Sequence, residues 1–121
     1  MMCVESMAER LCLSDVMVGD WVDVRNEVAP NTPHIERITP SHFLRDEYWY
    51  GIPLTPEIVE ANRLQFRENH SFCIIHFFED GVFVSAHGYY ESVNLGYRSV
   101  VYVNELQHVF RICGINKEIK L

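Results

Sequence analysis

The sequence predicts an α+β protein: a small antiparallel sheet with a middle helix and a C-terminal helix packed on it. Three observations lead there. Short runs rich in Val, Phe and Tyr recur with turn residues between them. A capped helix start is spelled by Leu54-Thr55-Pro56-Glu57-Ile58-Val59, and Tyr102 to Ile115 carries apolar residues at the helical period.

Taken in order, Val4, Met7, Ala8 and Leu11 stand at helical spacing and predict a short amphipathic helix before Ser14-Asp15. Val16 to Val24 reads as an extended segment, turned or bulged at Gly19, with Val22 and Val24 alternating against Asp23. Ile35 and Ile38 before Thr39-Pro40 predict a second strand, and Phe43 to Tyr50 a third strand or extended connection that ends at Gly51. Three short strands in a row suggest a meander or a partly open barrel, with an SH3-like half barrel as the form of the N-terminal part.

In the middle, Thr55 can cap, Pro56 suits the first helical position, and Glu57 favours the positive end of the helix dipole. Leu54 and Val59 have the spacing of a hydrophobic staple, so a helix should run from Pro56 to about Leu64. Phe72 to Phe78 and Val82 to His87 flank Glu79-Asp80-Gly81, a hairpin cue that places these strands centrally in the sheet. Tyr97 to Val101 is the expected last strand. In the closing helix Val103, Leu106, Phe110 and Cys113 share a stripe, while Glu105, His108 and Arg111 point elsewhere. Gly114-Ile115 predicts a Schellman stop.

With 121 residues, 48% of them hydrophobic and 22% charged, the chain suits a single folded domain spanning 1–121, residues 1–10 being a flexible or non-native extension. Ten basic against 17 acidic residues give a net charge of −7 without any basic run. That balance argues against nucleic acid, whose binding needs clustered Lys and Arg. No apolar stretch is long enough for a membrane span, and Met1-Met2-Cys3-Val4-Glu5 lacks the features of a signal peptide, so no membrane contact and a cytoplasmic location are expected. Cys3, Cys12, Cys73 and Cys113 form no C-x-x-C pair and read as free, mostly buried thiols.

Three ordered blocks carry a resemblance: Asp15-Val16-Met17-Val18-Gly19-Asp20-Trp21-Val22, Ile52-Pro53-Leu54-Thr55-Pro56-Glu57-Ile58, and Tyr102-Val103-Asn104-Glu105-Leu106-Gln107-His108 through Cys113-Gly114-Ile115. In this order they resemble a family of small uncharacterised proteins of gut Bacteroidetes, associated with phages and mobile elements. The resemblance runs from about Leu11 onward and implies an accessory role with no established activity. Where relatives have Asn-Gly after the middle helix, this chain has Asn62-Arg63, so a left-handed cap there costs about 1 kcal/mol or more unless Asn62 supplies it. Where relatives often carry His in Tyr-Val-His, this chain has Asn104; it also begins earlier, which makes Met7 an alternative start.

Asn104-Glu105-Leu106-Gln107-His108 is one ligand short of the zinc-protease pattern H-E-x-x-H, since a neutral amide is a poor zinc ligand. A core helix is the better reading, with no metal and no cofactor expected. His34, His42, His70, His76, His87 and His108 show no ligand spacing, although His76 and His87 could meet across the hairpin. Cys73 between Phe72 and Ile74 reads as a buried thiol, and with no Gly-rich phosphate loop or G-x-S-x-G elbow, no catalytic residue is assigned. The aromatics Trp21, Tyr48, Trp49, Tyr50, Tyr89 and Tyr90 are the candidate surface for an unknown protein partner. The expected function is therefore a non-catalytic accessory or protein-interaction module, with a nucleic-acid-binding small barrel as first alternative and a cryptic hydrolase as second.

Overall fold

The computed structural model describes residues 16–25, 34–41 and 48–121. The expected N-terminal helix, Cys3, Cys12, His42 and the stretch from Phe43 to Glu47 lie outside these residues. Among the described residues are two helices and two antiparallel sheets, so the protein is α+β, and neither sheet closes into a barrel. The chain groups into two compact units, 1–53 with 102–104, and 54–101 with 105–121.

In the first unit the strands are β1 (Trp21–Arg25), β2 (Ile35–Arg37) and β3 (Tyr48–Tyr50), in the order β2-β1-β3. The order is not that of a meander, because β1 is central and both neighbours pair with it. Asp23 explains part of this: its Oδ1 accepts from the amide of His34 while its Oδ2 accepts from the Arg25 guanidinium at 2.8 Å. Alternation sends Val22 and Val24 into a core shared with Val16, Ile38 and Trp49. The first strand starts later than the sequence suggests, since Val16 to Asp20 is taken up by a turn. There the Asp20 amide donates to the Met17 carbonyl at 3.0 Å, and the Asp20 carboxylate accepts from the Met17 amide at 2.7 Å. In the same unit Val103 donates to the Ile52 carbonyl at 2.8 Å, and Pro53 bridges to Tyr102.

The second unit opens with α1 (Pro56–Asn62), whose N-terminus is capped as expected: Thr55 Oγ1 accepts from the Ile58 amide at 3.2 Å. Its C-terminus takes the costlier of the two caps that the sequence leaves open. The left-handed residue is Arg63, with φ 51°, and Asn62 is not available for it. Asn62 instead donates to the carbonyls of Ile58 and Lys120, both at 3.0 Å, and accepts from the Lys120 amide at 2.7 Å. The amide side chain thus stands in for a strand partner and fastens the last residues of the chain. Arg63 and Leu64 donate to Glu60 and Val59, a Schellman pair closed by the fully buried Leu64.

Next come β4 (Phe66–Arg67), β5 (Phe72–Phe78), β6 (Gly81–His87) and β7 (Ser92–Arg98), hydrogen-bonded in that order. The hairpin is central, as its composition implies. Its loop is Glu79-Asp80 alone, because Gly81 already pairs with Phe78. Arg63 is the one non-glycine residue with positive φ among those described, so this turn does not use the left-handed Asp-Gly geometry. Gly81 matters for a different reason: a Cβ there would stand 2.6 Å from the Arg98 carbonyl and the Tyr97 ring, so a side chain would push β7 away. The last strand also falls earlier than Tyr97 to Val101. Ser92-Val93-Asn94-Leu95-Gly96 hides it from composition, and Gly96, at φ 64°, accommodates a register shift opposite Val84 and Ser85.

Opposed pairs Cys73–Ala86, Ile75–Val84 and Phe77–Val82 share the core face of this sheet. The helix α2 (Val103–Cys113) has Leu106, Val109, Phe110 and Cys113 buried and Arg111 exposed, as its stripe requires. Phe110 meets Phe66 of β4 edge-on at 6.4 Å, which seats α2 on the sheet. Gly114, at φ 77°, donates to Arg111, and Ile115 to Phe110 at 2.8 Å, completing the expected Schellman stop.

Two stability measurements check this packing. Phe110 is 2% exposed, so Phe110→Ala should cost about 3–5 kcal/mol in urea or thermal unfolding, and a loss under about 1 kcal/mol would put the ring outside the core. Arg63→Gly should do the opposite, raising stability by about 1 kcal/mol through release of the left-handed strain; destabilisation would refute the assigned cap.

Candidate partner-binding surface

The period-two alternation that buries Cys73, Ile75, Val82, Val84 and Ala86 turns every second residue of the same strands outward. The outward rows follow from the register. Arg67, Phe72, His87 and Ser92 lie opposite one another across β4 to β7, and His76, Phe83 and Tyr97 across β5 to β7. Between these rows lie Ile74, Ser85 and Asn94, and Phe78 ends the face on β5. Three of its large apolar side chains are substantially exposed: Ile74 at 36%, Phe78 at 50% and Tyr97 at 53%.

Ring contacts gather the aromatic side chains of this face into two clusters, one toward each end of β5. Arg67 lies over Phe72 at 5.6 Å, and Phe72 stacks on His87 at 5.5 Å. Phe78 touches His76 at 4.5 Å and Tyr97 at 5.6 Å. The Tyr97 hydroxyl donates to Asp80, and that hydrogen bond to a carboxylate raises the phenol above its ordinary value. Exposed carboxylates stand in the turns at the sheet's ends: Glu79 and Asp80 after β5, Glu68 before it, and Glu91 before β7. Aromatic clusters rimmed by acids are chemistry for contact with another apolar surface rather than with phosphates.

The six aromatics singled out by the sequence divide. Trp49 is 5% exposed and belongs to the first unit's core, so it offers nothing to a partner. Trp21 is half-buried beneath Arg37 and Tyr50 beneath Arg25, each with the cation 4.8 Å from the ring centroid. Tyr48 pairs with Arg25 in the register. Tyr89 and Tyr90, at 73% and 80% exposure, project from the turn between β6 and β7, where His70 meets the Tyr89 ring at 5.6 Å. Phe72, Ile74, Phe78, Phe83 and Tyr97 were not singled out. Phe72-Cys73-Ile74-Ile75-His76-Phe77-Phe78 holds the signal, but a run that is apolar apart from His76 reads as a strand buried on both faces.

The histidines His76 and His87 do not meet, because each faces a phenylalanine, Phe83 and Phe72 respectively. Asn104 is 2% exposed and His108 half-buried on α2. Among the described residues no three His, Cys, Asp or Glu gather closely enough to hold a metal ion. Burial pushes the Cys73 thiol up to about 12, with Cys113 adding to the shift; Cys113 is itself raised by burial. Such a thiol is a poor nucleophile at neutral pH. No helix among the described residues is long and apolar enough to cross a membrane.

The comparisons with known proteins are negative throughout: no family model, no curated protein and no solved structure matches this chain.

The buried thiol has a pH signature. In the unfolded chain Cys73 ionises near its ordinary 9.0, while the folded state resists until about 12, so this group's contribution is present below pH 9.0 and is lost as pH rises toward 12. Cys73→Ala should be less stable than the natural protein at neutral pH, through the cavity it leaves. The gap should narrow above about pH 9 in urea titrations, whereas a constant gap would mean an accessible thiol.

Proposed function

We propose that the protein is a non-catalytic protein-interaction module, an accessory of a phage or mobile element, with the outer face of the β4–β7 sheet as its contact surface. One observation carries the reading: Ile74, Phe78 and Tyr97 remain exposed on one face of a sheet whose other face buries Cys73, Ile75, Val82, Val84 and Ala86. Exposed aromatic and aliphatic side chains gathered on one sheet face are the kind of surface that recognition sites use. The partner it fits is a protein presenting an apolar patch with a basic rim, since Glu68, Glu79, Asp80 and Glu91 edge the face. The accessory role leans on the resemblance of the three sequence blocks, and the raised Cys73 thiol favours a non-catalytic role for the chain's most apolar strand.

Aromatics on an open sheet also form platforms on which unpaired bases stack, which keeps a nucleic-acid reading in view. The charge opposes it: Arg67 is the cation on this face, and Arg98 is already engaged by Glu105 at 2.7 Å.

An Ile74→Ser/Phe78→Ser double variant tests the proposal, because both side chains are exposed and their loss should leave the melting temperature nearly unchanged. Quantitative affinity capture from lysate of the source cells should yield a protein held by the natural chain and lost with the variant. Equal capture by both would sink the outer-face reading. Titration with labelled single-stranded DNA and RNA at low salt should show no tight binding; submicromolar, steeply salt-dependent affinity would install the nucleic-acid reading instead.

A further inference from the structure

The edge of the same sheet holds a second feature that needs no property of the outer face. Strand β4 is two residues long and pairs only with Phe72 and Cys73 of β5. From Ile74 onward β5 is therefore an edge strand. Backbone groups alternate along a strand, and the Ile75 amide points away from β6, because it donates to the side-chain Oε1 of Gln65 at 3.0 Å. Two residues on, the amide and carbonyl of Phe77 face the same open side, as does the carbonyl of Ile75. Gln65 thus occupies the first rung of a ladder whose next rungs are empty among the described residues.

Those rungs border a groove of about 520 Å³ between α1 and the β5 edge. Val59, Phe66, Ile75 and Phe77 give it an apolar lining. At its mouth stand Arg63, Lys117 and Glu60, two cations to one anion in a chain whose net charge is −7. Lys117 Nζ sits 4.6 Å over the Phe66 ring, and neither Lys117 nor Arg63 forms an ion pair among the described residues. Arg63 is placed there by the left-handed cap, where a glycine would offer no charge.

We propose that this groove binds an extended peptide segment that carries a carboxylate. The peptide adds to β5 as a strand, its backbone hydrogen-bonding to Phe77 and to the Ile75 carbonyl. One of its alternate side chains, aliphatic or β-branched, enters the apolar lining formed by Val59 and Phe66. Its carboxylate, from Asp, Glu or the C-terminus, meets Arg63 and Lys117, and Glu60 repels basic sequences.

Selection from a displayed library of random heptapeptides tests this, followed by fluorescence polarisation with the best labelled peptide. The enriched sequences should combine an acidic group with β-branched residues, and replacing the acid by its amide should weaken binding about tenfold, as one partly desolvated charge pair is worth. Arg63→Gly should weaken it comparably while raising the melting temperature, so that loss of binding is not loss of fold; Lys117→Gln is the second variant. Hydrogen exchange at the Phe77 amide should slow when the peptide is bound. Ile74→Ser/Phe78→Ser should keep the roughly tenfold preference for the acid over its amide, which separates this site from the outer face. No enrichment, enrichment of basic peptides, or affinity indifferent to both cation variants would each overturn the proposal.

Discussion

The register of the β5–β6 hairpin is the constraint on which the second unit depends. Because side chains alternate with a period of two, the pairing of Ile75 with Val84 also settles Cys73 with Ala86 and Phe77 with Val82 on the core side. It likewise settles His76 with Phe83 and Phe72 with His87 on the outer side. A slip of one residue would turn one strand over against the other and send His76 or His87 to the core side. Both faces of β5 are apolar, so hydrophobic pattern alone pins the register weakly. The two-residue turn and the close approach of β7 over Gly81 add what the pattern lacks.

Side-chain amides do the work of missing strands at two places. Gln65 takes the Ile75 amide where β4 has already ended, and Asn62 makes reciprocal bonds with Lys120. Each bond satisfies a backbone group without adding another strand. The consequence at β5 is an edge left partly open, and at the C-terminus a segment held beside α1 with Ile119 1% exposed. The strained cap at Arg63 belongs with these two devices, since Asn62, the residue better suited to a left-handed backbone, is committed to the C-terminal segment. Geometry that a glycine would relieve instead sets a guanidinium at the mouth of the groove.

Asp23 plays a comparable part in the first unit. Its carboxylate holds the His34 amide and the Arg25 guanidinium, so the backbone leading into β2 and the cation over the Tyr50 ring both refer to one group. The Arg25 guanidinium is held charged more firmly by that hydrogen bond, its value raised above the ordinary one.

Local chemistry decided much of this protein. The start of α1 needs only Thr55 and Pro56, the end of α2 only Gly114 and Ile115, and the buried stripe of α2 only its own period; all three were legible because each depends on residues within a turn of one another. The α+β class followed from the same signals. What distant parts of the chain settle was not legible. The place of β1 between β2 and β3, the early β7 with its glycine-accommodated shift, the burial of Trp49 and the outward turn of Phe78 all depend on which strand lies alongside. Composition shows that an aromatic residue is apolar. Which face of a sheet it occupies, and whether anything covers that face, is set by register and by neighbours brought from elsewhere in the chain, and those only the tertiary structure supplies.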